Sequence, residues 1–226
     1  MSYLDSLLFG IYPYIALAVF LIGSLIRYDR DQYTWKTGSS QMLESKQLKM
    51  GSTAFHVGII MVLAGHFVGL LTPHQVWDFL GVTAAFKQKI AMGLGGFFGL
   101  ICFYGMTILL KRRLTNPRVR ATSTTMDIVI LVLLYIQLIL GLISIFFSFK
   151  HLDGSEMLEM MAWAQNLVIL NGNEAAAHMA NVGLIYKLHV VLGMTLFLLF
   201  PFSRLVHIWS VPVKYFRRNY QVVRAK

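Results

Sequence analysis

Apolar runs of about 20 residues, each closed by a basic cluster or a turn, recur five times along this chain. They lie near residues 5–27, 51–71, 89–110, 126–148 and 184–209. At a rise of about 1.5 Å per residue, each run is long enough as an α-helix to cross a hydrocarbon core of about 30 Å. Lipid-spanning strands would alternate apolar and polar positions, so the unbroken runs exclude a β-barrel. The polar stretches between them are too short for a soluble domain. The expected fold is therefore all-α, an integral membrane bundle of five transmembrane helices over residues 1–210, with a basic tail at 211–226. One connection has its own period. In "SEMLEMMAWAQNLVIL", Met157, Met160, Met161, Ala164 and Val168 share helical spacing and predict a short amphipathic helix at the membrane interface. It serves either as structural packing or as a lid over a ligand site.

Composition strengthens the membrane assignment. Of 226 residues, 57% are hydrophobic and 13% charged, and the mean hydropathy of +0.63 lies outside the soluble range. The charges are unevenly placed. Lys and Arg number five in 27–50, two in 71–89, five in 111–122, two in 148–187 and six from 204 onward, so sixteen of twenty fall on one side. By the positive-inside rule that side is the cytoplasm, with the N-terminus outside and the C-terminus cytoplasmic. The net charge of +10 then reflects topology, anionic membrane lipid and acidic partners, and no nucleic acid. Arg27 and Arg30 follow the first run, the reverse of a secretory signal's order, so it is expected to be retained. The one cysteine, Cys102, excludes an internal disulfide and a Cys-ligated cluster, and is expected to be a small packing residue.

Four of seven histidines fall inside the runs: His56 and His66 in the second, His189 and His207 in the fifth. Polar groups at this depth are costly and point to function. His56 and His66 stand roughly 15 Å apart along a helix, His189 and His207 roughly 27 Å. Because the two runs are antiparallel, only the pairings His56 with His207 and His66 with His189 bring both pairs to compatible heights. Pro201, between the fifth-run histidines, is expected to bend that helix. Two stacked bis-histidine sites fit two haem b groups, non-covalent because no C-x-x-C-H motif is present. Iron with two axial histidines has no open position, which favours electron transfer over oxygen chemistry. Haem propionates need cations, for which Arg112, Arg113 and Arg204 are candidates. Gly58, Gly65 and Gly69, and Gly93, Gly95, Gly96 and Gly99, serve either close helix contact or close approach of a flat cofactor. His74, His151 and His178 lack depth partners and are expected to be ordinary loop residues.

The stretches "RYDRDQYTW", "FHVGIIMVLAGHFVGLLTPH", "KRRLTNPRVRATSTT" and "YKLHVVLGMTLFLLFPFSRLVHIWSVPV" resemble the γ subunit of membrane-bound respiratory nitrate reductase, a dihaem cytochrome b, from about Tyr12 to Arg224. The resemblance implies a proximal haem on His56 and His207 and a distal haem on His66 and His189, the iron ligands. It implies quinol as substrate beside the distal haem, bound by Lys87, with Lys89 the other lysine of "KQK" in reach. His66 would act at that site too, with Gly65 and Gly69 as places of close haem or quinol approach. Implied partners are an iron-sulfur β subunit and a molybdenum-containing α subunit that reduces nitrate, both on the cytoplasmic side of a bacterial or archaeal inner membrane. The tail "VPVKYFRRNYQVVRAK" suits docking on such partners or on anionic headgroups. Two other readings remain: the cytochrome b of another quinone-linked complex, such as a formate dehydrogenase or a heterodisulfide-reductase-like assembly, and a haem-free histidine-based transporter. The transporter expects acids paired with the imidazoles, and the inner parts of these runs hold none.

Overall fold

Helix ends in this chain are set by side chains that replace missing backbone partners. Thr124 and Asp127 form a capping box at the start of one long helix, Thr83 caps another through the Phe86 amide, and Asn116 caps a short one that begins with Pro117. The computed structural model describes residues 2–31, 33, 43, 45–150 and 152–210. The tail at 211–226 and His151 lie outside the described residues. The elements are helices α1 (Tyr3–Arg30), α2 (Ser45–Leu71), α3 (His74–Phe79), α4 (Ala84–Thr115), α5 (Pro117–Ala121), α6 (Thr125–Ser148), α7 (Ser155–Val168), α8 (Gly172–Met179) and α9 (Leu184–Leu199). Two 3-10 segments follow, Phe200–Phe202 and Arg204–Ser210. Among the described residues no strand occurs, and five helices are long and apolar enough to cross a membrane, as the runs predict.

The spans pack as an open arc. α2 leans on α4, α4 on α6, α6 on α9, and α9 on α1, while α2 and α9 face each other without close backbone packing. Glycines make the tightest join. A Cβ at Gly58 would lie 2.6 Å from the Cys102 amide, and one at Gly51 would lie 3.2 Å from the Gly105 carbonyl. Cys102 is fully buried there as a packing residue, as expected. Gly99 meets Leu142 in the same manner, whereas Cβ atoms at Gly65, Gly69 and Gly93 would meet nothing within 4 Å. The two explanations for the glycines thus divide by position: Gly58 and Gly99 permit helix contact, and Gly65 and Gly69 border open space.

The best-packed core lies at one end of the arc rather than in its middle. Phe9, Trp163, Ala164, Leu167, Ala175, Met179 and Tyr186 bury one another where the N-terminus, α7, α8 and the start of α9 converge. A π-helical turn at Ser6–Ile11 belongs to this cap, and the Phe9 carbonyl accepts the Trp163 indole N–H at 3.0 Å. Helix α7 forms where its period predicts, but the buried side is Met161, Trp163, Ala164 and Leu167, and Val168 is exposed. It packs on α2, α4 and α8. Helix α8, not anticipated from the sequence, buries Ala175, Ala176 and Met179 against the cap.

The fifth run departs most from expectation. A single helix over 184–209 is not formed: α9 stops at Leu199, and Ser203 is extended at φ −121° and ψ 177°. Pro201 has no N–H to donate and its ring clashes with the carbonyl four residues back, which ends the α-helix. The carbonyls released by the break are taken from another span. Arg27 Nη1 donates to the Pro201 carbonyl at 2.6 Å and to the Ser203 carbonyl at 2.8 Å. His207 therefore sits on a 3-10 segment, and the 27 Å α-helical separation from His189 does not apply.

Candidate functional site

The cleft between α2 and the fifth span, formed by α9 and the 3-10 segment after it, holds two imidazole pairs. His56 faces His207 with ring centroids 6.2 Å apart and planes at 73°. His66 faces His189 with centroids 6.1 Å apart and planes at 33°. A direct N–H···N hydrogen bond of about 2.9 Å would bring opposed ring centroids to about 5 Å. A metal held by one nitrogen of each ring, at about 2.0 Å per bond, puts them about 6 Å apart. Both pairs match the metal spacing. Depth-matching along the sequence predicts these two pairings, and the structure brings them together despite the break in the fifth span.

Ring orientation agrees. His56 Nδ1 lies 2.7 Å from the Ser52 carbonyl, His66 Nδ1 2.8 Å from the Val62 carbonyl, and His207 Nδ1 2.6 Å from the Arg204 carbonyl. An Nδ1–H donated to a carbonyl fixes the tautomer whose Nε2 lone pair can bind a metal. Open space at Gly65 and Gly69, beside His66, gives a flat macrocycle access to the ring that a Cβ would narrow. Among the described residues no group of three or more His, Cys, Asp or Glu could hold a metal ion. The paired histidines fit a group that brings its own equatorial ligands, as a porphyrin does.

The other candidates separate by position. Lys87 is buried, 7% exposed, with Nζ donating to the Gly69 carbonyl at 2.8 Å, 2.8 Å from Met161 Sδ and 4.6 Å from the Trp77 ring centre. Gly69 lies one turn beyond His66, so Lys87 reaches the neighbourhood of the His66 and His189 pair. Lys89 is exposed and lines a shallow groove with Met92, Gly93, Phe149 and Leu152. Helix α7 roofs this end: Met161 touches Lys87, and Gln165 Nε2 donates to the Leu70 and Thr72 carbonyls where α2 stops.

At the basic end, Arg112 is bonded to the Leu43 carbonyl at 2.5 Å and Arg113 to Ser123 Oγ at 2.7 Å. Asp127 on α6 ties α4 to the 3-10 segment, with carboxylate oxygens 3.0 Å from Arg204 Nε and 3.9 Å from Arg113 Nη1. The three arginines form a buried or half-buried cationic cluster on the side of His207, whose Nδ1–H is received by the Arg204 carbonyl. His74 pairs with Asp78 at 2.6 Å and His178 with Glu159 at 2.8 Å, away from the paired histidines but on helices α3 and α8 instead of in the expected loops.

Two residues at the cleft escape the sequence reading. Gln137 on α6 donates from Nε2 to the His189 carbonyl at 3.0 Å and touches the ring Nε2 at 3.3 Å. One turn on, a Cβ at Gly141 would stand 3.0 Å from His189 Cε1. The available signal was a lone amide in an otherwise apolar span, with glycine at i+4. Gly141→Leu is expected to force the imidazole aside, with overpacking of about 1–3 kcal/mol. A lowered unfolding temperature of the purified variant relative to the wild type checks this.

A model of the nitrate reductase gamma subunit matches residues 5–226. This chain belongs to that family. It is 55% identical over 226 residues to the respiratory nitrate reductase 1 gamma chain of Escherichia coli, with both chains covered fully. It is 50% identical to the respiratory nitrate reductase 2 gamma chain of the same organism, covering 100% of this chain and 99% of that one. The nitrate reductase gamma chain of Bacillus subtilis is 38% identical over 221 residues, covering 98% of each. With its five apolar helices, the chain is a multi-pass protein of the cytoplasmic membrane and a subunit of a nitrate reductase that serves respiratory electron transport.

Proposed function

We propose that this subunit is the quinol-oxidising dihaem cytochrome b of its complex. Electrons would leave quinol at the His66 and His189 end and pass through two bis-histidine b-type haems to a cytoplasmic iron-sulfur β subunit. A molybdenum-containing α subunit would then reduce nitrate. The observation that carries this proposal is the two imidazole pairs, at 6.2 and 6.1 Å, one above the other in one cleft.

His56 and His207 would hold one haem and His66 and His189 the other, through Nε2. When bound, each haem supplies a one-electron carrier tuned by its axial ligands. The chain's own residues do the rest. Lys87, buried between Gly69 and Met161, offers an ammonium donor to a quinol oxygen and favours the deprotonated form as the proton leaves. Met161 and Trp77 line that position and limit water around it. The cationic cluster of Arg112, Arg113 and Arg204 suits haem propionates at the basic end. By the positive-inside rule that end is cytoplasmic, which puts proton release on the outer face and electron delivery on the inner. Moving one electron across the full membrane against 100 mV involves about 2.3 kcal/mol. The basic tail at 211–226 would dock on the partner subunits.

An optical difference spectrum of the purified complex, reduced by a quinol analogue, tests the assignment. About two b-type haems per chain, both reduced by the analogue, are expected. Absence of a b-type band would overturn the assignment in favour of a haem-free role for the histidines.

A further inference from the structure

Of the four cleft histidines, His207 has the least regular support. His56, His66 and His189 stand on α-helices, whereas His207 follows the break at Pro201 on a 3-10 segment, whose hydrogen-bond geometry is poorer. Its Nδ1 lies 2.6 Å from the Arg204 carbonyl, so the direction of the ring follows whatever fixes residue 204. On one side Arg27 grips the Pro201 and Ser203 carbonyls. On the other, Asp127 in the first turn of α6 places Oδ1 3.0 Å from Arg204 Nε and Oδ2 3.9 Å from Arg113 Nη1. This carboxylate is itself fixed. Its Oδ2 accepts the Thr124 N–H at 3.1 Å, and the Asp127 N–H donates to Thr124 Oγ1 at 3.2 Å, which ties it to the start of its helix. The Asp127 side chain is 15% exposed and the Arg113 and Arg204 side chains 10% and 22%, so solvent and salt screen these charges less than they would on an open surface.

We propose that Asp127 is the positioning residue for His207: acting through Arg204, it fixes the carbonyl that orients the imidazole and offsets part of the arginine charge on that side of the cleft. This rests on the haem assignment above. The aim of one axial ligand is thereby delegated to a neighbouring span, as an outer partner commonly does for a metal-binding histidine. A fixed carboxylate on the same side favours ferric over ferrous iron, because the ferric form carries one more positive charge. Asp127 therefore holds the potential of the His56 and His207 haem below the value that the arginines alone would give. The other pair feels less of this, since His66 stands roughly 15 Å further along α2 than His56.

The test is a redox titration with low-temperature EPR of the full complex carrying Asp127→Asn or Asp127→Glu, each also combined with His66→Ala so that the surviving signal is that of the His56 and His207 haem. Asparagine can still accept the Thr124 N–H, so the start of α6 keeps its cap while the charge is lost. Expected in Asp127→Asn is a higher midpoint potential and a displaced low-spin ferric signal for the His56 and His207 haem, with a smaller change at the other. Asp127→Glu, which restores the charge, should bring the potential back toward that of the wild type. Unmoved potential and signal in Asp127→Asn, equal shifts of both haems, or loss of the subunit from the complex in both variants would overturn this inference alone. A wild-type complex without haem in this subunit would overturn the assignment beneath it as well.

Discussion

His66→Ala is expected to remove one haem from the subunit and reduce quinol oxidation to background, while His56→Ala removes the other haem and leaves quinol binding intact. The asymmetry follows from the packing of the cleft. His66 stands one turn from Gly69, whose carbonyl holds the Lys87 ammonium, so removing its ring disturbs the region where quinol would bind. His56 pairs with His207 at the basic end, in a 3-10 segment tied to the arginine cluster, with α7 and Lys87 at the far end of the arc. Haem stoichiometry, quinol-analogue binding and nitrate reduction measured on both variants separate the outcomes. Equal loss of both haems from both variants would contradict the pairing.

Lys87→Ala is expected to weaken quinol-analogue binding with both haems retained. A charge-assisted hydrogen bond in a buried site contributes about 1.5–3 kcal/mol, so the dissociation constant should rise about 10- to 100-fold. Lys89→Ala is the control, because that side chain is exposed in a groove on the other side of the same helix turn. Titration of the optical spectrum with an analogue checks both variants. A tenfold weakening in Lys89→Ala with none in Lys87→Ala would move the quinol site to the groove.

Lipid makes much of this fold legible. An unsatisfied backbone group in hydrocarbon is so costly that an unbroken apolar run of sufficient length has few alternatives to a helix, and all five appear. The imidazole pairs are legible for a related reason: a polar ring at that depth needs a partner, and an antiparallel helix allows only one consistent matching. What escapes is tertiary. Pro201 announces a bend, but what satisfies the released carbonyls is Arg27, 174 residues away, which donates to them. The period of 155–168 gives the helix correctly, yet which side is buried depends on α8, whose small residues Ala175 and Ala176 carry no strong signal of their own. Gln137 and Gly141 matter through what faces them from α9, information that no local pattern in α6 contains.

The clasp between Arg27 and the broken end of α9 couples parts of the chain that share no chemistry. The first span holds no histidine, cysteine or methionine. Its last turn nevertheless holds the strap from which His207 hangs, so damage near the start of the sequence would register as an altered cytochrome signal near its end. Genetic lesions sorted by their distance in sequence from the four paired histidines would miss that class entirely.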